Sequence, residues 1–461
     1  MASAHSMRSL MRPAIHISPR VPTAAVLPSL AAAFSTTSHL GAAASGGSAV
    51  RKAKTQVPKK KKIVVHVKKP NPGERKAFRK RIQLSNNSAL EVKGLATLEP
   101  DTMAKESSAG QVFALPSDVQ DRLRVLEAFK HSQSWNLFRK PHLLARKEAV
   151  ELVSKLEASA KDKKALRMVL TGGKLTGKSI AILQALTYGL MNDWVVINLP
   201  EGHDLTNGNT EYSPVPDTAD PVEFTQPVYA LKLLMATYNA NKAVLEKLQL
   251  QKDWSSSTNQ KGEGTLADLV LSAKEADWAW PTFAALWSEL TLPGRPPVLF
   301  ALDGLAHVNK MSDYRDPSFN LVHAHDLLTV RTFIDALSGK TDLPNGGGII
   351  ATAGGNNSPR ISSQDLVLSQ IEAGQAGQEI PKPDPYHKGY DDRVYDALKT
   401  TTVMRMGNLS KDEARVLMDY WGASGLLRAK VDHKTVWEKW ALGGGGVVGE
   451  MERASLLAMR M

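Results

Sequence analysis

Four short apolar runs mark the part of this chain between residues 165 and 353. They span residues 165–171, 193–200, 298–302 and 348–353. Each is shorter than a typical helix, is largely apolar, and ends at or beside glycine, proline or aspartate. Such runs are typical of strands that are buried on both faces of a parallel sheet. The pattern therefore predicts four central strands.

Stretches with helical spacing lie around and between these runs. The predicted helices span residues 117–132, 143–158, 179–190, 228–250 and 266–276. A polar stretch at residues 85–110 predicts a connection outside the core. Because strands alternate with helices, we expect an α/β fold in which a parallel sheet has helices on both faces.

The first strand leads into a loop that fits G-x-x-x-x-G-K-[ST], the pattern of a phosphate-binding loop. The candidate nucleotide-binding residues of this loop are Gly172, Gly173, Lys174, Leu175, Thr176, Gly177, Lys178 and Ser179. The glycines of the pattern let backbone N–H groups approach phosphate oxygens, and we expect Lys178 to reach the β- and γ-phosphates. The helix that follows adds free N–H donors at its N-terminus. The motif predicts a P-loop NTPase fold that binds a nucleoside triphosphate.

Polar residues at two strand ends extend this site. Asp303 follows the strand at residues 298–302, where a phosphate-loop protein needs a carboxylate for Mg²⁺. We expect Asp303 and the Ser179 hydroxyl to hold Mg²⁺ together. Thr352 and Asn356, at the end of the next strand, are candidates for contact with the γ-phosphate, although turn chemistry explains the run Gly-Gly-Asn-Asn equally well.

Motif residues that are missing from this chain limit the expected reaction and do not identify the base of the nucleotide. Gly304 stands beside Asp303 where vigorous AAA-type ATPases place a glutamate, so we expect weak hydrolysis at most. A Ras-like GTPase is excluded, because Ala306 replaces the glycine of D-x-x-G and Ser312 replaces the aspartate of N-K-x-D. Both GTP and ATP therefore stay possible. After the second strand stand Glu201, His203 and Asp204, which either help to position water or are ordinary polar loop residues.

The net charge of +12 is unevenly distributed. Residues 1–81 hold 17 lysines and arginines against one acidic residue, so their charge is +16 and the remainder carries −4. Residues 1–40 contain three arginines, many alanines and serines, and no acidic residue, which predicts a mitochondrial transit peptide. Residues 51–81 carry 14 lysines and arginines, and we expect them to bind the RNA backbone.

Two absences narrow the classes of protein further. The chain has no cysteine, which excludes disulfides, iron–sulfur clusters and cysteine zinc sites. No uninterrupted apolar stretch reaches the length of about 18 residues that a membrane-spanning helix requires. We therefore expect no membrane span.

The carboxyl-terminal part has the pattern of a small helical module. A helix is predicted at residues 410–427, with Ser410 as N-cap and Glu413 completing a capping box. Glycines at residues 443–446 precede a last helix. The predicted organisation is a transit peptide at 1–40, a basic, disordered, RNA-contacting extension at 41–114, a P-loop nucleotide-binding domain at 115–375, and a mainly helical domain at 376–461. The last resembles the lid or winged-helix-like module of AAA/STAND-like proteins.

Several features stand in a specific order between residues 115 and 461. They are Arg139-Lys140-Pro141, the loop at 172–179, Asp193-Trp194, Pro200, Gln226-Pro227, Asp303-Gly304 and the glycine-rich strand at 346–355. Together they resemble the death-associated protein three family of mitochondrial small-subunit ribosomal proteins. The lysine-rich amino terminus resembles a fungal-type member of that family.

The resemblance implies an AAA-like nucleotide domain in the head of the small mitoribosomal subunit, in the mitochondrial matrix. The implied partners are small-subunit ribosomal RNA, neighbouring small-subunit proteins, and the large subunit across an intersubunit bridge. The family implies GTP as the nucleotide, while the residues themselves leave ATP open.

Three functions remain open at this stage. The leading one is a structural ribosomal protein whose bound nucleotide stabilises its fold, with no enzymatic role beyond weak NTPase activity. The second is an active mitochondrial AAA- or STAND-type ATPase that remodels a partner, for which Arg360 could act in trans. The third is an RNA-binding adaptor with a degenerate nucleotide pocket.

Overall fold

The computed structural model of the protein describes residues 82–457, apart from residues 217, 219, 220, 261, 355–357 and 428. The predicted transit peptide and the basic run at 51–81 lie outside the described residues, as does Asn356. In chain order the strands are β1 (Val112–Ala114), β2 (His142–Leu144), β3 (Leu166–Thr171), β4 (Val195–Leu199), β5 (Ser213–Pro214), β6 (Phe224–Thr225), β7 (Val298–Leu302), β8 (Met311–Arg315), β9 (Leu321–His323), β10 (Gly347–Thr352) and β11 (Thr402–Arg405).

Fifteen α-helices lie between and beyond these strands in the described chain. They are α1 (Pro100–Met103), α2 (Ser117–Val125), α3 (Lys147–Lys161), α4 (Lys178–Met191), α5 (Gly202–Thr206), α6 (Pro227–Leu245), α7 (Leu266–Ser272), α8 (Ala279–Leu290), α9 (Leu305–Val308), α10 (Leu328–Ser338), α11 (Ser362–Gln375), α12 (Asp392–Leu398), α13 (Lys411–Ala423), α14 (His433–Leu442) and α15 (Val448–Glu452). A π-helical turn, Arg453–Leu457, follows. Over the described chain, no helix combines the length and the apolar content that crossing a membrane requires.

The central sheet has five parallel strands in the order β11–β3–β10–β7–β4. Its register pairs Leu302 of β7 with Ala351 of β10 on one side and with Leu199 of β4 on the other. Because parallel strands end at the same edge of a sheet, this register brings the residues that follow β3, β4, β7 and β10 together. That edge carries the candidate site.

Two hydrophobic clusters cover the two faces of the sheet. Side chains of β7 alternate between them: Phe300 and Leu302 belong to one cluster, Leu299 and Ala301 to the other. The first cluster contains residues of α6, α7, α8, α10 and α12, and the second contains residues of α2, α3 and α4. Burial of one large apolar side chain contributes about 1.5–3 kcal/mol, so both faces stabilise the sheet strongly. The predicted α/β fold with a parallel sheet is confirmed.

The four predicted strands are confirmed, whereas several helix boundaries differ: α6 ends at Leu245 instead of residue 250, and α7 at Ser272 instead of residue 276. Helix α2 ends at Val125 instead of continuing to residue 132. Helix α3 begins at Lys147, because residues 142–144 pair as β2 with the antiparallel strand β1. Spacing alone did not distinguish a short edge strand from the first turn of a helix, since both are apolar here.

Two parts of the sheet domain lie outside the limits that the sequence suggested. The stretch at 85–110 is not merely a connection, because Leu98 and Met103 are buried in the cluster that contains α2, α3 and α4. Strand β11 lies beyond the predicted boundary at residue 375, yet it pairs with β3 as the edge strand of the sheet. Its four residues include Thr402 and Arg405, so they form no apolar run that would predict a strand.

The carboxyl-terminal helices share a third hydrophobic cluster. Met418 and Trp421 of α13, Val436 of α14 and Met451 of α15 are buried in it. Phe138, from the loop before β2, joins the same cluster. The capping box at Ser410 and Glu413 is confirmed, because the Ser410 hydroxyl accepts a hydrogen bond from the Glu413 backbone N–H. The helical part is thus anchored to the segment that precedes the sheet.

Candidate functional site

The phosphate loop joins β3 to α4 in a strained backbone conformation. Gly172, Leu175 and Gly177 have positive φ angles of 126°, 59° and 98°. A Cβ atom added to Gly172 would lie 2.4 Å from the carbonyl oxygen of Met406, so only glycine fits there. The left-handed conformation of Leu175 costs roughly 1–2 kcal/mol, which is typical of a loop held for function.

The Lys178 side chain is turned into the loop. It is only 6% exposed, and its Nζ donates a hydrogen bond of 2.9 Å to the Gly172 carbonyl and another to the Gly173 carbonyl. Burial lowers the pKa of Lys178, while the nearby Asp303 carboxylate opposes that shift. Among the described residues, the only hydrogen-bond acceptors of this buried ammonium group are neutral backbone carbonyls. It can exchange them readily for a phosphate oxygen, because a charged acceptor forms a stronger hydrogen bond.

Asp303 is the centre of the polar cluster at the sheet edge. Its Oδ2 accepts a hydrogen bond of 2.7 Å from the Ser179 hydroxyl and lies 2.6 Å from Lys130 Nζ. Its Oδ1 accepts a hydrogen bond from the Thr352 hydroxyl. Burial by itself would raise the pKa of Asp303, but the charge of Lys130 and the hydrogen bonds from Lys130, Thr352 and Ser179 together lower it. The carboxylate is therefore held in its charged form.

Two oxygen ligands suit a magnesium ion at this position. The Ser179 hydroxyl and the Asp303 carboxylate are in contact, and Mg²⁺ typically takes one or two protein oxygens together with phosphate oxygens and waters. Within the described part of the chain, no group of three or more histidine or acidic side chains is placed to hold a metal ion. The ligands therefore fit a magnesium ion that a nucleotide brings with it.

The backbone conformation explains why glycine stands at position 304. Gly304 has φ 92°, in the left-handed region, and begins α9. Its N–H donates a hydrogen bond of 2.9 Å to the Thr352 hydroxyl, which itself binds Asp303. A glutamate here would adopt a strained conformation that costs roughly 1–2 kcal/mol, so this turn disfavours a carboxylate next to Asp303.

A cavity of about 540 Å³ opens from the sheet edge. We call one part the phosphate end, formed by Lys130, Lys178, Ser179, Asp303 and Gly304. We call another part the aromatic end, formed by Trp135, Phe138, His142 and Trp421. Both sets of residues line this single cavity, with Leu175, Thr176, Gly177, Gln184, Glu201, His203 and Val448 among the other lining residues.

The aromatic end is built from rings that pack against each other. The His142 ring centroid lies 4.3 Å from that of Phe138 and 4.1 Å from that of Tyr420. Burial lowers the pKa of His142 to about 3. His142 is therefore neutral at physiological pH, and this part of the cavity suits a flat, uncharged ring.

Arg146 connects the phosphate loop to the carboxyl-terminal part. Its guanidinium donates hydrogen bonds of 2.7 Å to the Thr176 carbonyl, 3.0 Å to Glu148, and 3.1 Å to the Gly407 carbonyl. The Gly449 N–H, in α15, donates to the Leu175 carbonyl at 3.2 Å. The conformation of the phosphate loop is thus coupled to residues that lie far along the chain.

The structure brings most of the sequence-predicted site residues together. Lys178, Ser179, Asp303 and Thr352 form one contiguous cluster through the hydrogen bonds given above. Leu175, Thr176 and Gly177 line the cavity, Gly172 and Gly173 accept from Lys178, and Lys174 is exposed.

Sequence reasoning missed three residues of the site, Lys130, Arg146 and Gln184. No motif marks them, because each reaches the cavity through tertiary contacts. A lysine before a predicted loop or a glutamine within a helix is an ordinary residue in sequence.

Comparisons with known proteins agree with this architecture. Residues 143–454 match the family model described as mitochondrial ribosomal death-associated protein 3. The chain is 50% identical over 407 residues to the small ribosomal subunit protein mS29 of Neurospora crassa, covering 87% of this chain and 86% of that protein. It is 25% identical to the protein of the same name from Schizosaccharomyces pombe, covering 75% and 71%, and 24% identical to that from Mus musculus, covering 36% and 42%.

Proposed function

Because the chain belongs to the mitochondrial ribosomal death-associated protein 3 family, we propose that it is a structural protein of the mitochondrial small ribosomal subunit that holds a purine nucleoside triphosphate with Mg²⁺. Its location is the ribosome of the mitochondrial matrix. The observation that carries the nucleotide proposal is the contact of Ser179 and Thr352 with Asp303 beside the buried Lys178.

Each residue of this cluster has a separate task in the proposed complex. The backbone of residues 172–177 and the N-terminus of α4 would bind phosphate oxygens, and Lys178 would neutralise their charge. Ser179 and Asp303 would hold Mg²⁺, which when bound supplies positive charge between the phosphates. Thr352 holds the Asp303 carboxylate in place by its hydrogen bond.

The proposed role of the nucleotide is to stabilise the joint between the sheet and the carboxyl-terminal helices. Leu417, Trp421 and Val448 of those helices line the same cavity as the phosphate loop. A ligand that fills the cavity therefore touches both parts. Binding only to the folded state stabilises it by about 4 kcal/mol when the free nucleotide is a thousandfold above its Kd.

We propose little or no turnover of the bound nucleotide. The left-handed turn at Gly304 supports this, since it disfavours a glutamate next to Asp303. The only carboxylate on the adjoining strand end, among the described residues, is Glu201, and its side chain is half exposed and 3.8 Å from Lys130.

The finer fold assignment is also a proposal. Strand β10 lies between β3 and β7, so that Thr352 can contact Asp303, and we propose an AAA- or STAND-like arrangement on this basis. Between residues 406 and 457 the described chain forms helices and turns without a strand, which favours a helical lid over a winged helix. We also propose a division into an extension, a nucleotide-binding domain and a carboxyl-terminal domain. The nucleotide-binding domain then includes β11, because this strand belongs to the central sheet.

The proposed partners follow from the family and from charge. The basic run at 51–81 suits the backbone of small-subunit ribosomal RNA, with strong salt dependence. Neighbouring small-subunit proteins in the head, and the large subunit across a bridge, complete the proposed contacts.

Fractionation of mitochondrial lysate tests this function. We expect the protein to comigrate with the small subunit on a sucrose gradient at moderate salt and to release intact GTP or ATP on denaturation. Lys178→Ala should reduce both the retained nucleotide and the share of protein in the small-subunit fraction. A wild-type protein that sediments free of ribosomes contradicts the proposed ribosomal role. A wild-type protein that is bound to ribosomes but carries no nucleotide contradicts the proposed nucleotide binding.

A second function, an ATPase that remodels a partner, has one observation in its favour. Glu201 and His203 line the phosphate end of the cavity, where a carboxylate or imidazole could orient water. Steady-state hydrolysis by the purified protein that is abolished in Glu201→Gln, with nucleotide binding retained, would support it.

A further inference from the structure

Several residues that line the cavity carry a buried polar atom without a hydrogen-bond partner. Among the described residues these atoms include His142 Nδ1, Arg146 Nε, and both amide atoms of Gln184. A buried polar atom without a partner costs about 1–3 kcal/mol, so native proteins keep few of them. Four of the unpartnered atoms among the described residues belong to these three lining residues, and a ligand with a polar edge could pair them.

Gln184 is the most informative of these residues. It is 1% exposed, and neither its Nε2 nor its Oε1 has a partner. It lies on α4 five positions after Ser179, about 7.5 Å further along the helix axis. A group bound to Ser179 and a group bound to Gln184 would therefore be different parts of one extended ligand.

A second buried amide in the same domain shows the contrast. Asn241 is fully buried, its Nδ2 donates to the Val196 and Thr237 carbonyls, and its Oδ1 accepts from the Val196 N–H. Asn241 is thus fully paired, and the buried amides of Asn198 and Gln226 lack a partner only at their oxygens. Gln184 has the same chemistry and similar burial, but both of its amide atoms are unpaired and the residue is part of the cavity wall.

We propose that Gln184 reads the hydrogen-bonding edge of the purine base of the bound nucleotide. This inference rests on the proposed function. The flat apolar walls of the aromatic end suit a base, and His142 beside them is neutral. The carboxamide offers one donor and one acceptor, which matches the paired donor and acceptor of guanine at O6 and N1–H, or of adenine at N1 and N6–H.

Three substitutions in the purified full-length protein test this assignment. Gln184→Leu keeps the approximate volume but removes both polar atoms. Gln184→Glu keeps the shape but offers only acceptors when charged. Thr187→Val is the matched control, because Thr187 is buried on the same helix, bonds only to the Leu183 carbonyl, and does not line the cavity.

The measurement is calorimetric titration with Mg·GTP, Mg·ATP and Mg·tripolyphosphate, which has no base. For the purine nucleotide that wild type prefers, Gln184→Leu should weaken binding by roughly 10- to 50-fold, the loss of two neutral hydrogen bonds. Its affinity for tripolyphosphate should equal that of wild type. Gln184→Glu should raise the ratio of GTP to ATP affinity at least about tenfold, because a carboxylate accepts from guanine N1–H and N2–H but faces the lone pair of adenine N1.

Stability separates base reading from misfolding. Without nucleotide, Gln184→Leu should melt at or above the wild-type temperature, because it removes an unpaired buried amide. Unchanged nucleotide affinity in Gln184→Leu would overturn the assignment, as would an equal loss of tripolyphosphate affinity. If wild type binds tripolyphosphate as tightly as it binds the nucleotides, the assignment of Gln184 is wrong but the proposed function stands. If wild type binds no phosphate compound, the proposed function is wrong as well.

Discussion

The two ends of the cavity differ in how their polar groups are satisfied. At the phosphate end, both oxygens of Asp303 are bonded, to Ser179 and Lys130 on one side and to Thr352 on the other. Elsewhere in the cavity wall, His142 Nδ1 at the aromatic end and the amide atoms of Gln184 have no partner. The first region is complete without a ligand, while the second is complete only with one.

This difference separates stability from recognition. A fully bonded carboxylate cluster holds the sheet edge in shape before any nucleotide arrives, so its loss should unfold the protein. Unpaired groups destabilise the empty protein slightly and are compensated on binding, so their loss should change selectivity instead. Substitutions at the two ends of the cavity test whether stability and recognition are separate in this way.

Asp303→Asn should have the largest effect. It leaves Lys130 and Lys178 without their common carboxylate, and breaking a largely buried ion pair costs about 3–5 kcal/mol. We expect this loss in urea unfolding, together with loss of Mg-dependent nucleotide binding. Asp313→Asn, at an exposed position, is the control and should stay within about 0.5 kcal/mol of wild type. Equal stability of both variants would show that the phosphate end is not structural.

Arg146→Met should cost about 3 kcal/mol and also weaken nucleotide binding, because Arg146 joins the Thr176 and Gly407 carbonyls. Arg295→Met is the matched control, since Arg295 is an equally buried arginine that pairs with Glu289 and does not line the cavity. We expect a similar loss of stability there, with an unchanged nucleotide-induced rise in melting temperature. A similar change of that rise in both variants would contradict a specific coupling through Arg146.

The stability of the phosphate end should depend on acid pH. Because the folded-state pKa of Asp303 is lowered, its contribution is complete above its unfolded-state pKa of about 3.9 and is lost as the pH falls through the folded-state value. The difference in free energy of unfolding between wild type and Asp303→Asn should therefore narrow below about pH 4. Urea unfolding at pH 6 and at successively lower pH measures it, and a constant difference down to pH 3 would refute the charge argument.

Gly304→Glu should have the smallest effect on stability, about 1–2 kcal/mol, from its left-handed backbone conformation. We expect no gain in nucleotide hydrolysis, measured as phosphate release, because the turn does not present the new side chain without distortion. Gly294→Glu is a control at another positive φ angle that is remote from the cavity. Rapid hydrolysis by Gly304→Glu alone would show that only the missing carboxylate limits turnover.

Local signals accounted for the predictions that the structure confirms. The strands at β3, β4, β7 and β10 were visible because each is a short apolar run, and the capping box at Ser410 because its two residues are three positions apart. Strand β11 and the buried residues Leu98 and Met103 were missed, since short mixed segments become strand or core only by packing on the rest of the chain.

The sequence by itself determined the family, the α/β sheet and the positions of the phosphate-loop residues, because these depend on contiguous residues whose spacing fixes their geometry. Only the tertiary structure decided which groups complete the cavity. Lys130 reaches Asp303, Arg146 reaches a carbonyl 262 residues away at Asn408, and Gln184 is part of the cavity wall with its amide unpaired. Such contacts join segments that are distant along the chain, and their formation depends on the packing of both sheet faces, which no local pattern of residues encodes.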